Sequence, residues 1–216
     1  MEPVTLPQTR RQAYPMNLRQ AWRGNPQTGF SPGRASLWST RGTLFFWVHL
    51  TDPRPWTLAR QAEQLLCNWG DVMELFVQVD RNPDYYEFHV APNGFILGLH
   101  WPEAKSFRGI AHEVDIQPYL IRPRLLRARV SRRKGSWTIG GSLPLSRLTK
   151  QRLRKSSLEL RIQFARYDYL DDGTVVLSST ASLRRPSFHR RWEWGRFRVG
   201  PEKESPARRG NPEAVS

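Results

Sequence analysis

Hydrophobic and polar positions alternate in three consecutive runs between Trp69 and Trp101. In the first, Val72 to Asp80, Met73, Leu75, Val77 and Val79 fall on one face. Glu74, Gln78 and Asp80 fall on the other. The turn residues Arg81-Asn82-Pro83-Asp84 separate this run from Tyr85 to Ala91, and Pro92-Asn93-Gly94 separates that from Phe95 to Trp101. Period-two alternation broken by Asn, Pro, Asp and Gly predicts an antiparallel meander of three strands. Its acidic and aromatic residues are expected to share an exposed face.

The same pattern continues on both sides. Ala35 to Trp38 and Thr43 to Leu50 read as a hairpin that ends at Asp52-Pro53-Arg54-Pro55, because proline has no N–H for the ladder. Trp56 to Asn68 spaces Leu58, Ala62, Leu65 and Leu66 in a way that fits a short helix or a long loop. Further strands are predicted over Ile110 to Ile116, Leu125 to Ser131, Ser136 to Leu143, Leu158 to Tyr167, Thr174 to Ser178 and Trp194 to Val199. A single helical turn is predicted at Pro144 to Leu148. In the Leu158 run, Leu158, Leu160, Ile162 and Phe164 point inward, and Glu159, Arg161, Gln163 and Ala165 outward. Many short strands and little helix predict an all-β chain folded as one antiparallel β-sandwich over residues 35–200. Residues 1–34 read as an irregular lead-in with one short strand near Ala21-Trp22, and 201–216 as a disordered charged tail.

Composition sharpens this picture. The chain has 216 residues, 38% of them hydrophobic, and carries a formal net charge of +15. Such a field attracts nucleic acid, anionic polysaccharide or anionic lipid. Arginine dominates over lysine, and solvated arginine faces account for the charge equally well. Nine tryptophans supply core area, and also flat platforms for sugars or bases. Cys67 is the sole cysteine, so no internal disulfide forms. Its apolar neighbours predict a buried, inert thiol. The N-terminal residues contain no apolar run of signal-peptide type, and no run is long enough to span a bilayer as a helix. The default expectation is a cytoplasmic protein.

Five segments, in order, resemble a known family. They are Gly70-Asp71-Val72-Met73-Glu74-Leu75-Phe76-Val77, Tyr85 to Gly94, Gly135 to Leu148, Phe164-Ala165-Arg166-Tyr167-Asp168, and Ser187-Phe188-His189 followed by Trp194 to Val199. Together they resemble the family 9 carbohydrate-binding modules and their DOMON-like relatives over about Trp38 to Val199. The resemblance implies a jelly-roll-like β-sandwich that binds a glycan without catalysis, often beside glycoside hydrolases and often with structural Ca2+. Two positions depart from the family pattern. Gly140 and Gly141 stand where the family has a Glu, and Ser179 stands where it has a sugar-stacking Trp.

Sugar recognition needs a flat aromatic against the apolar face of the ring and planar polar groups for the hydroxyls. Trp69, Glu74, Arg166, Trp101 and Trp192 are the candidates for one such face of a polysaccharide or oligosaccharide site. By resemblance, Trp69 neighbours a stacking position, and Glu74 and Arg166 match polar pocket positions. The plainer alternative makes Trp69 a rim residue and Glu74 with Arg166 an ion pair. Asp80, Asn82 and Asp84 alternate like oxygen ligands of calcium, as Asp168, Asp171 and Asp172 do less well, yet both are also ordinary turn sequences. Arg127, Arg129, Arg132 and Arg133, with Lys134, form a basic hairpin able to meet polyanions, supplemented by Arg152, Arg154 and Lys155. No histidine pair has zinc spacing, and Glu74 with Glu87 is the sole candidate glycosidase pair.

Overall fold

The computed structural model describes residues 2–103, 105–149 and 157–200. Among these, twelve strands form two sheets packed face to face. The larger sheet contains β1 (Val4–Thr5), β5 (Val72–Val79), β6 (Tyr85–Val90), β7 (Ile96–Trp101), β10 (Leu158–Tyr169), β11 (Val175–Ser179) and β12 (Gly195–Val199). The smaller contains β2 (Tyr14–Leu18), β3 (Gly33–Thr40), β4 (Thr43–Thr51), β8 (Arg127–Arg133) and β9 (Ser136–Pro144). The first runs in the order β1-β12-β10-β5-β6-β7, with β11 also on β10, and the second β2-β3-β4-β9-β8. This is the predicted β-sandwich. None of the described helices is long and apolar enough to cross a membrane.

The period-two faces of the sequence set the core. Met73, Leu75 and Val77 of β5, and Leu160, Ile162 and Phe164 of β10, meet Leu37, Phe46, Val48, Leu50 and Ile139 of the other sheet. Each such side chain contributes about 1.5–3 kcal/mol on burial. Gly141 shows how tightly the two layers mesh. A Cβ there would lie 2.2 Å from Cζ of Phe46, so the phenyl ring occupies the space any side chain at 141 would need.

The lead-in is structured rather than irregular. Its β2 forms one edge of the smaller sheet and its β1 pairs in parallel with β12, while Ala21-Trp22 lies in a turn. Pro15 is tolerated in β2 because that strand is an edge. The expected strand at Ile110–Ile116 is a series of turns, because the Asp115 carboxylate captures the N–H groups of Ala111 and His112 and offers the backbone a local alternative to a ladder. Trp56 to Asn68 takes the loop alternative, with one 3-10 turn at Leu66–Asn68. The Gln64 side chain accepts from the N–H groups of Arg60 and Gln61. The tail 201–216 and the basic residues Arg152, Arg154 and Lys155 lie outside the described residues.

The core face of the larger sheet carries a buried ion pair at one end, Arg166 with Asp168. Arg166 is fully buried and pairs with Met73 in register, on the face that packs against the smaller sheet. Its Nη1 donates to the Thr51 carbonyl at 2.8 Å, and its Nη2 meets Asp52 at 2.9 Å and Asp168 at 2.8 Å. Thr51 ends β4, so this guanidinium ties the two sheets together at one end. Removing one partner of a buried pair costs about 3–5 kcal/mol, since the other charges remain desolvated. Arg166→Ala is therefore expected to lower the unfolding free energy by about that amount in urea titrations. A change under ~1 kcal/mol would show that the cluster is solvated in solution.

Candidate functional site

The second face of the larger sheet carries the chemistry. Along its outward rows lie Leu97, His89, Glu74, Ala165 and Ser179, then Leu99, Glu87, Phe76 and Gln163, then Gln78, Arg161 and Arg196. The sequence predicts an exposed face here. Instead the first two rows are roofed, and every residue of β5 is buried. Leu65, Leu66, Ile116, Ala181, Leu183, Phe188 and Trp194, from three long connections, pack onto Val72, Phe76, Tyr85 and Leu99. Of the hydrophobic residues read as helix or strand signals in those connections, Leu65, Leu66 and Ile116 belong to the roof, whereas Leu58 and Val114 are exposed.

Under the roof most polar groups pair with one another, although His89 Nδ1 is buried without a hydrogen-bond partner. Glu87 holds His89 Nε2 at 2.6 Å through one carboxylate oxygen, and accepts the Trp101 indole N–H at 2.6 Å through the other. Glu74 lies 3.3 Å from the same His89 nitrogen. The Tyr85 hydroxyl bonds His189 Nδ1 at 2.8 Å. Ser179 donates to Gln163 at 2.8 Å and accepts from the Ala181 N–H, so the hydroxyl at the departed aromatic position is a structural hydrogen-bonding group. Trp69 is half-buried, and its indole N–H donates to Glu113 at 2.7 Å, joining two of the covering segments.

Two carboxylates thus share one buried imidazole. Burial pushes the Glu74 carboxyl up to about 8, against the pull of His89. Glu87 sits below its ordinary value: burial works against this, but His189, His89 and the Trp101 N–H together outweigh it. For His89, burial disfavours the cation, yet the two carboxylates raise its pKa. Cys67 Sγ comes within 4.8 Å of ligand atoms of Glu74 and His89. Burial raises that thiol well above its usual range, in keeping with an inert cysteine.

The proposed sugar face is therefore not one surface. Glu74 and Trp101 are buried beneath the roof, Trp69 belongs to the roof, and Arg166 is on the opposite face of the sheet, bonded to aspartates rather than to Glu74. Trp192 alone stands free, 64% exposed. It lines an open groove of about 570 Å3 at the unroofed end of the same face, with Gln78, Asp80, Arg161, Arg191 and Arg196. Arg190 lies over the indole at 5.0 Å and is itself fixed by Glu193, whose carboxyl this pairing holds down at about 2. Arg191 donates to the Pro83 carbonyl at 2.5 Å and stacks over Tyr85. Gln78 and Arg161 were legible as outward positions. Arg191 and Arg196 were not singled out; the Arg-Arg-Trp run at 190–192 marks Arg191, and alternation with Phe197 in the closing strand marks Arg196 as outward.

Calcium does not fit the residues proposed for it. Asp80 is bonded to Arg161 Nε at 2.8 Å and Asp84 to His100 Nε2 at 2.8 Å, so the two carboxylates are already engaged by different side chains. Asp171 pairs with Arg54, and Asp172 caps the Thr174 N–H. Asp52, Asp71 and Asp168 do converge. However, Arg166 supplies the positive charge there, and Asp71 accepts backbone N–H groups from Trp56 and Tyr169. Arg127 and Arg129 are exposed on β8, an edge strand, where charge also blocks edge-to-edge pairing.

Glu74 has a pH signature. Its folded value, about 8, exceeds its ordinary 4.5, so between these values the folded chain holds more protons than the unfolded one. Stability therefore falls as pH rises through that window. The raised His89 acts in the same direction above 6.5, whereas His189, lowered by burial, acts oppositely as pH falls. Burial also raises Asp71 to about 7 and Asp168 to about 6, which act in the same direction, so the thermal midpoint of Glu74→Gln is expected to decline less steeply than the parent's from pH 5 to 8 without becoming flat. Identical pH profiles for variant and parent would show that Glu74 stays ionised throughout.

No protein-family profile matches the chain, and no curated protein sequence does. Solved structures do. A protein from Bacteroides uniformis described as a candidate carbohydrate-binding protein superposes with a TM-score of 0.68 at 13% identity, covering 92% of this chain and 98% of that one. A family 9 carbohydrate-binding module from Caldicellulosiruptor kristjanssonii, in complex with cellotriose, gives 0.60 at 10% identity over 98% and 96%. A family 9 module from the same organism, in complex with glucose, gives 0.55 at 9% identity over 93% and 85%. At such identities the likeness is one of fold, and the fold of this chain is that of the family 9 carbohydrate-binding modules.

Proposed function

We propose that the chain is a non-catalytic carbohydrate-binding domain that engages a polysaccharide or oligosaccharide at the open groove beside Trp192, and serves polysaccharide binding or breakdown. One observation carries this reading. Trp192 is an exposed indole, braced by Arg190, at the edge of a groove lined by amide and guanidinium groups. That is the pairing of flat apolar surface and planar hydrogen-bonding groups that a sugar ring needs. Neighbours of the same fold hold cellotriose and glucose, which supports the substrate class. Glu74 and Glu87 are poor glycosidase candidates, because both are buried and bonded to His89 beneath the roof.

A second reading has its own observation. Arg127, Arg129, Arg132 and Arg133 are all exposed along β8. A polyanion such as nucleic acid or an anionic glycan, bound there, would show affinity falling steeply with salt.

A glycan array at low and near-physiological salt tests the first reading. Neutral-sugar binding that survives salt supports it; binding confined to polyanions and lost with salt supports the second. Trp192→Ala is expected to weaken saccharide binding at least tenfold with little change in thermal midpoint. Trp69→Ala, by contrast, is expected to lower the midpoint, because its indole ties the roof through Glu113. Full saccharide binding by Trp192→Ala would place the site elsewhere.

A further inference from the structure

Four arginines, Arg81, Arg161, Arg191 and Arg196, line the groove beside Trp192, and Asp80 is the one carboxylate among its lining residues. Arg161 and Arg196 are register partners on adjacent strands, with Gln78 next in the row. They are therefore spaced about 4.8 Å apart along the direction of the sheet hydrogen bonds. Asp80 accepts from Arg161 Nε at 2.8 Å and lies 3.8 Å from Arg196. Arg196 also meets Glu159. Asp80 itself is lowered: burial opposes this, and the bond and charge of Arg161 with the charge of Arg196 override it. The groove therefore keeps an excess of positive charge even after its internal pair is counted. Among the described residues its lining has no lysine, and the planar guanidinium fork matches a carboxylate in a way that an ammonium does not.

These guanidinium groups are also held before any ligand arrives. Arg191 is anchored by the Pro83 carbonyl and the Tyr85 ring, and Arg161 by Asp80. Preorganised donors lose little side-chain freedom on binding. The groove volume of about 570 Å3 falls in the range typical of small-ligand sites, roughly 300–1,000 Å3. A single aromatic platform suits one ring at a time, whereas an extended single strand of nucleic acid is stacked on several.

Resting on the carbohydrate reading above, we infer that the preferred ligand is an acidic oligosaccharide, one whose ring carries a carboxylate. The ring lies on Trp192, and the carboxylate meets the guanidinium groups of Arg191 and its neighbours.

Calorimetric titration of the whole chain with trigalacturonate, cellotriose and a short oligothymidylate, at 150 mM salt, tests this. Trigalacturonate is expected to bind at least tenfold tighter than cellotriose and than the oligonucleotide. Trp192→Ala is expected to weaken trigalacturonate binding at least tenfold. Arg191→Gln and, separately, the exposed Arg81→Gln are each expected to cut the acidic-to-neutral affinity ratio at least threefold, so the result does not depend on one variant folding. Equal affinity for the two saccharides overturns the acidic preference and leaves the carbohydrate reading standing. Binding of the oligonucleotide alone, or of none of the three, overturns both.

Discussion

The bond between Glu87 and His89 is the constraint on which the outer face of the larger sheet depends. A sheet roofed on one side and packed on the other gives its polar residues no water. Each must find its partner inside or carry a desolvation cost of several kcal/mol. Glu87 meets this by accepting from an imidazole and an indole at once, and His89 then stands between two carboxylates. That arrangement lets aromatic groups such as Phe188, Trp194 and Tyr85 close over acidic side chains without stranding a charge. It also fixes which part of the face stays open. The roof ends where the outward row changes from Glu and His to Gln78, Arg161 and Arg196; the ion pairs of the two arginines sit near enough to solvent to need no cover, and the Gln78 amide is satisfied by the Asn82 carbonyl.

One sheet face is therefore divided by polarity into two jobs. The roofed portion stabilises the domain and encloses Glu74, one of the two polar positions that the family resemblance implied, while the other, Arg166, lies on the core face. The open portion carries the exposed indole and the guanidinium groups. Ser179 serves the roofed portion: its hydroxyl closes a hydrogen-bonded chain from the Ala181 N–H to Gln163. On the core side, Gly141 leaves room for the ring of Phe46.

Much of the fold was legible because period-two alternation reports directly which side chains share a face. Met73, Leu75, Val77, Leu160, Ile162 and Phe164 all face the core, as their spacing implies. What alternation does not report is whether the opposite face meets water or other residues of the chain. Glu74 and Trp101 were assigned to an open surface for that reason, and the covering residues, scattered over three irregular connections, have no period to reveal them. Arg166 was misplaced by chemistry rather than pattern. Its position in the alternation is a core position, but an arginine invites an outward assignment until Asp52 and Asp168 are seen to answer its charge. The edge strand β2 escaped notice because its proline argues against a strand unless the strand is known to lie at an edge.

The parallel pairing of β1 with β12 has a mechanical consequence. Val4 lies beside Phe197 and Thr5 beside Arg198, so the first and last strands of the domain run side by side in the same direction. A pull on the chain before β1 and after β12 draws the two strands lengthwise past each other. Their hydrogen bonds, including Leu6 N–H to the Arg198 carbonyl, are then loaded together rather than opened one after another. A domain pulled through both ends resists such tension as a clasp does.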